Sequence, residues 1–212
     1  MNALLAGATG LVGREIARQW SGPLHLLVRR ELPAPRAGAT VQRVDFAALP
    51  ALPRADLAFC ALGTTIRLAG SQAAFRAVDL EAVVAFASAC RAAGVARFGL
   101  VSALSADARS GNFYSRVKGE AEDAVRALGF EALVIVRPSL LLGDRAALGQ
   151  PPRPGERWGE RLAGWLGPLV PAGLRPVSAA AVARALVTTL PRAPQGVTVL
   201  HSAALQGAGN PA

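Results

Sequence analysis

The sequence is poor in most of the residues that usually carry chemistry. Lys118 is the only lysine among 23 basic residues, and Tyr114 is the only tyrosine. The two cysteines, Cys60 and Cys90, stand far apart and match neither a metal spacing nor a redox pair. That excludes a disulfide scaffold and fits a reducing compartment. The two histidines, His25 and His201, fall singly on strand-like stretches with no partner at metal or triad spacing, so both read as structural and no metal is expected. Aromatics are 5% of the chain, too few for a surface that stacks on bases, and the arginines behind the net charge of +9 are dispersed. Nucleic acid is therefore not an expected partner. No apolar run approaches the roughly 18 residues of a membrane span, and the first residues enter a strand-like stretch without a basic lead or a cleavage-like tripeptide. A cytoplasmic protein with no membrane partner is the expectation.

What the chain does have is apolar periodicity. With 212 residues, 52% of them hydrophobic and 17% charged, it can bury one core, and residues 1–212 read as a single domain. Short apolar runs at 2–6, 24–28, 40–44, 57–60, 98–102, 133–136 and 197–200 alternate with helical patterns at 11–20, 71–93, 113–128 and 179–190. Strands that alternate with helices in this way predict an α/β fold, a doubly wound parallel sheet. Residues 144–176 break the rhythm with six prolines and one short helical pattern at 156–166, and read as a small substrate lobe over the carboxyl edge of the sheet. Within it, Trp158 and Trp165 read as the apolar side of that helix. Arg145, Arg153 and Arg157 could anchor an acidic substrate, though in an arginine-rich chain their positions say little.

The first chemical motif is GATGLVG, comprising Gly7, Ala8, Thr9, Gly10, Leu11, Val12 and Gly13, where the first strand meets the first helix. Glycines there allow a tight turn and a close approach to a pyrophosphate, while the helix start offers free N–H groups to the anion. The spacing is Gly-x-x-Gly-x-x-Gly rather than the commoner Gly-x-Gly-x-x-Gly. Arg29 and Arg30 end the second strand, where an acid would select NAD and an arginine can pair with the extra phosphate of NADP. NADP is the expected cofactor. NAD stays as the alternative, because a slightly longer strand would bring Glu31 into the ribose position. Asp45 closes the third strand, within reach of an adenine amino group. After the fourth strand, Leu62, Gly63 and Thr64 follow Ala61 in a small-residue stretch that would let the backbone pass close to the cofactor.

Tyr114 and Lys118 are four residues apart at the start of a helical pattern, so both project from one face with about 5–6 Å between their β-carbons. A phenol with a pKa near about 10 is a poor acid–base catalyst at neutral pH, but an adjacent ammonium stabilises the phenolate. Such a pair can protonate a carbonyl oxygen as hydride arrives and deprotonate an alcohol in reverse. Lysine can also bind ribose hydroxyls through its three donors. Asp107, Arg109 and Ser110, in the loop before Tyr114, could touch substrate but read first as a solvated loop.

Taken together and in order, GATGLVG, LVRR, FCALGTT, FYSRVKGEAE and VIVRPSLLLGDR resemble the atypical or extended short-chain dehydrogenase/reductases of the NAD(P)-binding Rossmann superfamily. More narrowly, they resemble the TIP30-like small oxidoreductases, named for the HIV Tat-interacting protein. The resemblance covers roughly residues 2–200. It implies that Tyr114 and Lys118 are the catalytic tyrosine and lysine, and that Ser102 hydrogen-bonds the substrate oxygen. The family often has two or three consecutive hydroxyl residues there, whereas Ala103 follows Ser102 here, so Ser105 stays open as a substitute. Pro138 matches the proline whose backbone lines the nicotinamide.

The expected function is NADP-dependent hydride transfer on a small carbonyl or alcohol substrate. Two alternatives remain: a nucleotide-sugar epimerase or dehydratase, and a non-enzymatic dinucleotide-sensing protein that binds partners. No pattern separates a dimer-forming helix from an ordinary amphipathic one, so monomer and homodimer are both open.

Overall fold

Strands buried on both faces of a parallel sheet must be apolar at successive positions, whereas edge strands need not be. In the computed structural model, which describes residues 1–32, 35–142 and 175–207, the strands sort in that way. β1 (Ala3–Ala6) and β4 (Leu57–Cys60) are buried at every residue. β2 (Leu24–Val28), β5 (Arg97–Val101) and β6 (Ala132–Arg137) are buried at all but one residue each. β3 (Thr40–Arg43) and the last strand, β9 (Gly196–His201), are largely exposed. They form the two edges of a seven-stranded sheet in the order β3-β2-β1-β4-β5-β6-β9, with every neighbouring pair parallel. The doubly wound α/β fold follows, and the strand order reverses direction between β1 and β4.

Helices cover both faces. On one side α1 (Leu11–Gln19) and α6 (Ala179–Thr189) bury Val12, Ile16, Val182 and Leu186 against Leu5, Leu26, Phe59 and Val134. On the other, α4 (Ala82–Ala92) and α5 (Phe113–Ala127) bury Val83, Phe86, Ala121 and Val125 against Leu4, Ala58, Leu100 and Ile135. Alternate residues along each strand feed opposite layers, so one sheet supports two cores.

The helix expected over 71–93 is a composite. α3 (Gln72–Arg76) leads into a π-helical turn, Ala77–Glu81, before α4 begins. The single-turn helix α2 (Ile66–Ala69), the final helix α7 (Ser202–Gly207) and a two-residue parallel pairing of β7 (Leu141–Leu142) with β8 (Val177–Ser178) are additions to the sequence reading. The expected lobe at 144–176, with Trp158, Trp165, Arg145, Arg153 and Arg157, lies almost entirely outside the described residues.

Candidate functional site

Because all seven strands run in the same direction, their carboxyl ends share one edge of the sheet. In open α/β sheets the ligand crevice forms outside that edge, where the strand order reverses. The segments following β1 through β6 carry the Gly7–Gly13 turn, Arg29 and Arg30, Asp45, Leu62–Thr64, Ser102 and Pro138 to that edge.

The turn after β1 is built around close backbone approach. Gly7 has φ +91°, and a β-carbon there would lie 2.4 Å from the carbonyl carbon of Ala61. Its carbonyl accepts the Gly10 N–H at 3.0 Å. Gly10 caps α1 with no side-chain hydrogen bond, and the first turn of α1 has no acidic residue. The first N–H groups of α1 thus meet no side-chain cap among the described residues, and the helix dipole would favour an anion beside them. Arg29 and Arg30 are exposed and form no ion pair among the described residues; Glu31 is exposed as well. Asp45 is exposed, and one of its carboxylate oxygens accepts the Ala47 N–H at 2.9 Å.

α5 presents Tyr114 and Lys118. Asn112 caps it by accepting the Ser115 N–H at 3.1 Å, and Arg116 secures the entry by donating to the Ser110 carbonyl at 2.9 Å. The Tyr114 ring packs on the fully buried Phe75, with ring centres 5.6 Å apart. Lys118 turns inward, its side chain 8% exposed, and its Nζ lies 2.7 Å from Oδ1 of the wholly buried Asp79. The other oxygen of Asp79 accepts the Thr64 N–H at 2.8 Å. A β-carbon on Gly63 would stand 3.4 Å from Asp79 Oδ1 and 3.6 Å from Lys118 Nζ, so the segment after β4 lies directly over the pair. Burial pushes the Lys118 ammonium downward, but the charge of Asp79 leads the opposing influences and the net shift is upward.

Ser102 extends β5 by donating its N–H to the Val136 carbonyl at 2.8 Å. Its hydroxyl is buried, has no hydrogen-bond partner among the described residues, and lines one recess with Asp79, Lys118, Val83, Leu100 and Ala121. Ser105, by contrast, is engaged: its hydroxyl accepts from Ser115 at 2.9 Å. Pro138 is buried, and its carbonyl accepts the Leu104 N–H at 2.9 Å. Asp107 closes a local turn by accepting the Arg109 N–H, and the Arg109 side chain is 95% exposed. His25 contacts Gln42 across β2 and β3 at 2.8 Å.

Sequence reasoning missed Asp79. Its signal was a lone acid on an otherwise apolar helical stripe, Phe75, Asp79, Val83, Phe86 and Cys90, all of which are buried. An unpaired carboxylate on such a stripe would be severely penalised, so a cationic partner was implied.

The profile of a family described as NAD(P)H-binding matches residues 7–192. Among curated proteins, the mitochondrial protein FMP52-1 of Scheffersomyces stipitis is 35% identical over 156 residues, 68% of this chain and 69% of that protein. Protein HTATIP2 of Rattus norvegicus is 35% identical over 167 residues, 73% of this chain and 67% of that protein. Among solved structures, MoeE5 in complex with UDP-glucose and NAD aligns with a TM-score of 0.68 at 18% identity, covering 95% of this chain and 76% of that one. At that identity the likeness is one of fold alone. The expectation of a cytoplasmic protein does not stand, because several of the FMP52 relatives are named mitochondrial. The match running from the glycine turn to the end of the segment after α6, together with two relatives at 35% identity, places the chain in the NAD(P)H-binding family of Rossmann-type proteins, alongside HTATIP2 and the FMP52 proteins.

Proposed function

We propose that the protein is an NADP-dependent oxidoreductase acting on a small carbonyl or alcohol, with Tyr114 as acid and base, Lys118 beside it and Ser102 orienting the reacting oxygen. The observation that carries this reading is the buried Ser102 hydroxyl, which shares a recess with Lys118 and has no hydrogen-bond partner among the described residues. Leaving such a group without a partner costs roughly 1–3 kcal/mol, and native proteins rarely tolerate it without a use. The recess is too tight to admit a ligand atom as it stands, so the Ser102 hydroxyl would turn to meet a ligand oxygen at the carboxyl edge of the sheet, which would remove the penalty. Ser105, by contrast, already accepts a hydrogen bond from Ser115.

The residues fit a dinucleotide. Gly7–Gly13 and the start of α1, which has no side-chain cap, would hold the pyrophosphate, Arg29 and Arg30 the extra phosphate, and Asp45 the adenine, with Leu62, Gly63, Thr64 and Pro138 along the nicotinamide half. When bound, the nicotinamide supplies or takes up the hydride. Tyr114 then gives its phenolic proton to the carbonyl oxygen, or takes one from the alcohol in the reverse direction. Ser102 donates a hydrogen bond to that oxygen and bears part of its developing charge. One proton of the Lys118 ammonium is directed at Asp79, which leaves two for the phenol and the ribose hydroxyls.

Calorimetric titration with NADPH and NADH, followed by a panel of small carbonyls with NADPH, tests the reading. Tyr114→Phe should retain wild-type NADPH affinity while losing at least about a thousandfold in turnover, within the range general acid catalysis supplies. Failure of the wild-type protein to bind either dinucleotide, or full turnover in the Tyr114→Phe protein, would remove it.

A further inference from the structure

Beyond the set that sequence alone brings together, the site contains a buried acid that nothing in the motif reading assigned. Asp79 is wholly buried, and its two oxygens face Lys118 Nζ at 2.7 Å and the Thr64 N–H at 2.8 Å. It sits in the π-helical turn Ala77–Glu81, where one extra residue per turn widens the helix between α3 and α4. Single π-helical turns of this kind are frequent at functional sites.

A buried ion pair is a poor way to gain stability, because removing both charges from water can cost more than their attraction returns. The arrangement is better understood through what it does to Lys118. We propose that Asp79 is a positioning residue that keeps Lys118 an ammonium and fixes its Nζ under the Gly63–Thr64 segment, on the face of α5 shared with Tyr114.

Among the described residues, every other group facing Lys118 leaves that task to Asp79. From β4, burial pushes the Cys60 thiol up to about 12, so it is neutral. From β5, Ser102 is neutral. On α5 itself, Glu122 is committed to Arg137 and Arg126. Tyr114 adds favourable charge only when ionised. Without the carboxylate, burial is the dominant influence on Lys118, and it favours the neutral amine. A neutral amine could neither assist the phenol by its charge nor offer the same donors to a ribose.

The sequence makes the test clean, because Lys118 is the only lysine. Protein labelled with 13C at lysine Cε gives one side-chain resonance, whose pH titration reports Lys118 directly and requires no substrate. In the wild-type protein the midpoint should lie above the free-lysine value of about 10.4. In Asp79→Asn, which keeps the shape and leaves an oxygen for the Thr64 N–H, the midpoint should fall by about one pH unit or more. Asp79→Glu should restore most of the wild-type midpoint. Equal midpoints in wild type and a folded Asp79→Asn would overturn the proposal. So would a wild-type midpoint below free lysine, which is decisive even if the variant does not fold.

The consequence for turnover rests on the hydride-transfer reading: at a pH between the two midpoints, Asp79→Asn should lose activity that returns on acidification. NADPH titrations of the same samples keep the two ideas apart. Wild-type protein that fails to bind NADPH defeats the oxidoreductase reading and leaves the Lys118 result standing; unchanged midpoints with intact NADPH binding defeat the role of Asp79 alone.

Discussion

A β-carbon on Gly13 would stand 2.1 Å from the carbonyl oxygen of Gly7. The first turn of α1 therefore packs on the loop that precedes it with no room for a methyl group, and the loop cannot give way because Gly7 is itself pressed against Ala61. At Gly10 the corresponding distance to the Gly7 carbonyl is 3.4 Å, an ordinary contact. The three glycines of one motif thus answer to different constraints.

Gly13→Ala should lower stability by about 1–3 kcal/mol through overpacking, read as a drop in melting temperature of roughly 2–4 °C per kcal/mol. Gly10→Ala should melt close to the wild type yet lose NADPH affinity, because its methyl group would occupy space that a pyrophosphate needs above the start of α1. Differential scanning calorimetry with and without NADPH separates the two effects. Equal melting temperatures for both variants would show that the close approach is not structurally required.

The proposed pairing of Arg29 and Arg30 with the extra phosphate of NADP can be tested through cofactor choice. Both are exposed at the end of β2 without an ion pair among the described residues, so replacing them breaks no contact that holds the fold. The double substitution Arg29→Ala, Arg30→Ala should weaken NADPH binding by about tenfold or more, equivalent to about 1.4 kcal/mol, and change NADH affinity by less than about twofold. Paired calorimetric titrations check this. A parallel loss for both cofactors would transfer the selectivity elsewhere.

Much of this arrangement was legible in the sequence because a parallel sheet leaves a coarse signature. Runs such as Leu57–Cys60 are apolar at every position, and the motif residues follow directly from where such runs end. The Tyr114 and Lys118 pair was legible because i and i+4 residues share a helix face. Asp79 left only the weaker mark of a lone acid on an apolar stripe, for two physical reasons. A π-helical turn adds one residue without changing composition, and an acid on a helix is ordinarily a solvated one. Ser102 and Ser105 could not be separated by spacing either; only the third dimension brings Ser115 to Ser105 and leaves Ser102 without a partner among the described residues. The pairing of β7 with β8 was equally hidden, since two-residue strands far apart in the chain carry no periodicity.

The helix that carries Tyr114 and Lys118 also depends on a second buried acid, one turn further on. Glu122 is 1% exposed and accepts a two-point contact from Arg137, at 2.9 Å from Nε and 2.7 Å from Nη2, with Arg126 at 3.3 Å. Hydrogen bonding to Glu122 holds the Arg137 guanidinium firmly in its charged form. Arg137 ends β6 immediately before Pro138, so the contact fixes α5 in register with the strand end that borders the site. Removing one partner from a buried pair costs roughly 3–5 kcal/mol; here the loss should fall near the lower end, because Arg137 is partly exposed and can turn toward water. Glu122→Ala should therefore unfold at distinctly lower denaturant concentration. Glu122→Gln, which keeps an acceptor, should lose less, and Arg126→Ala, at the longer and more exposed contact, should lose no more than about 1 kcal/mol. Urea unfolding of the three variants reads the order directly, and an Arg126→Ala loss as large as that of Glu122→Ala would show that the helix, rather than its tie to β6, is what Glu122 supports.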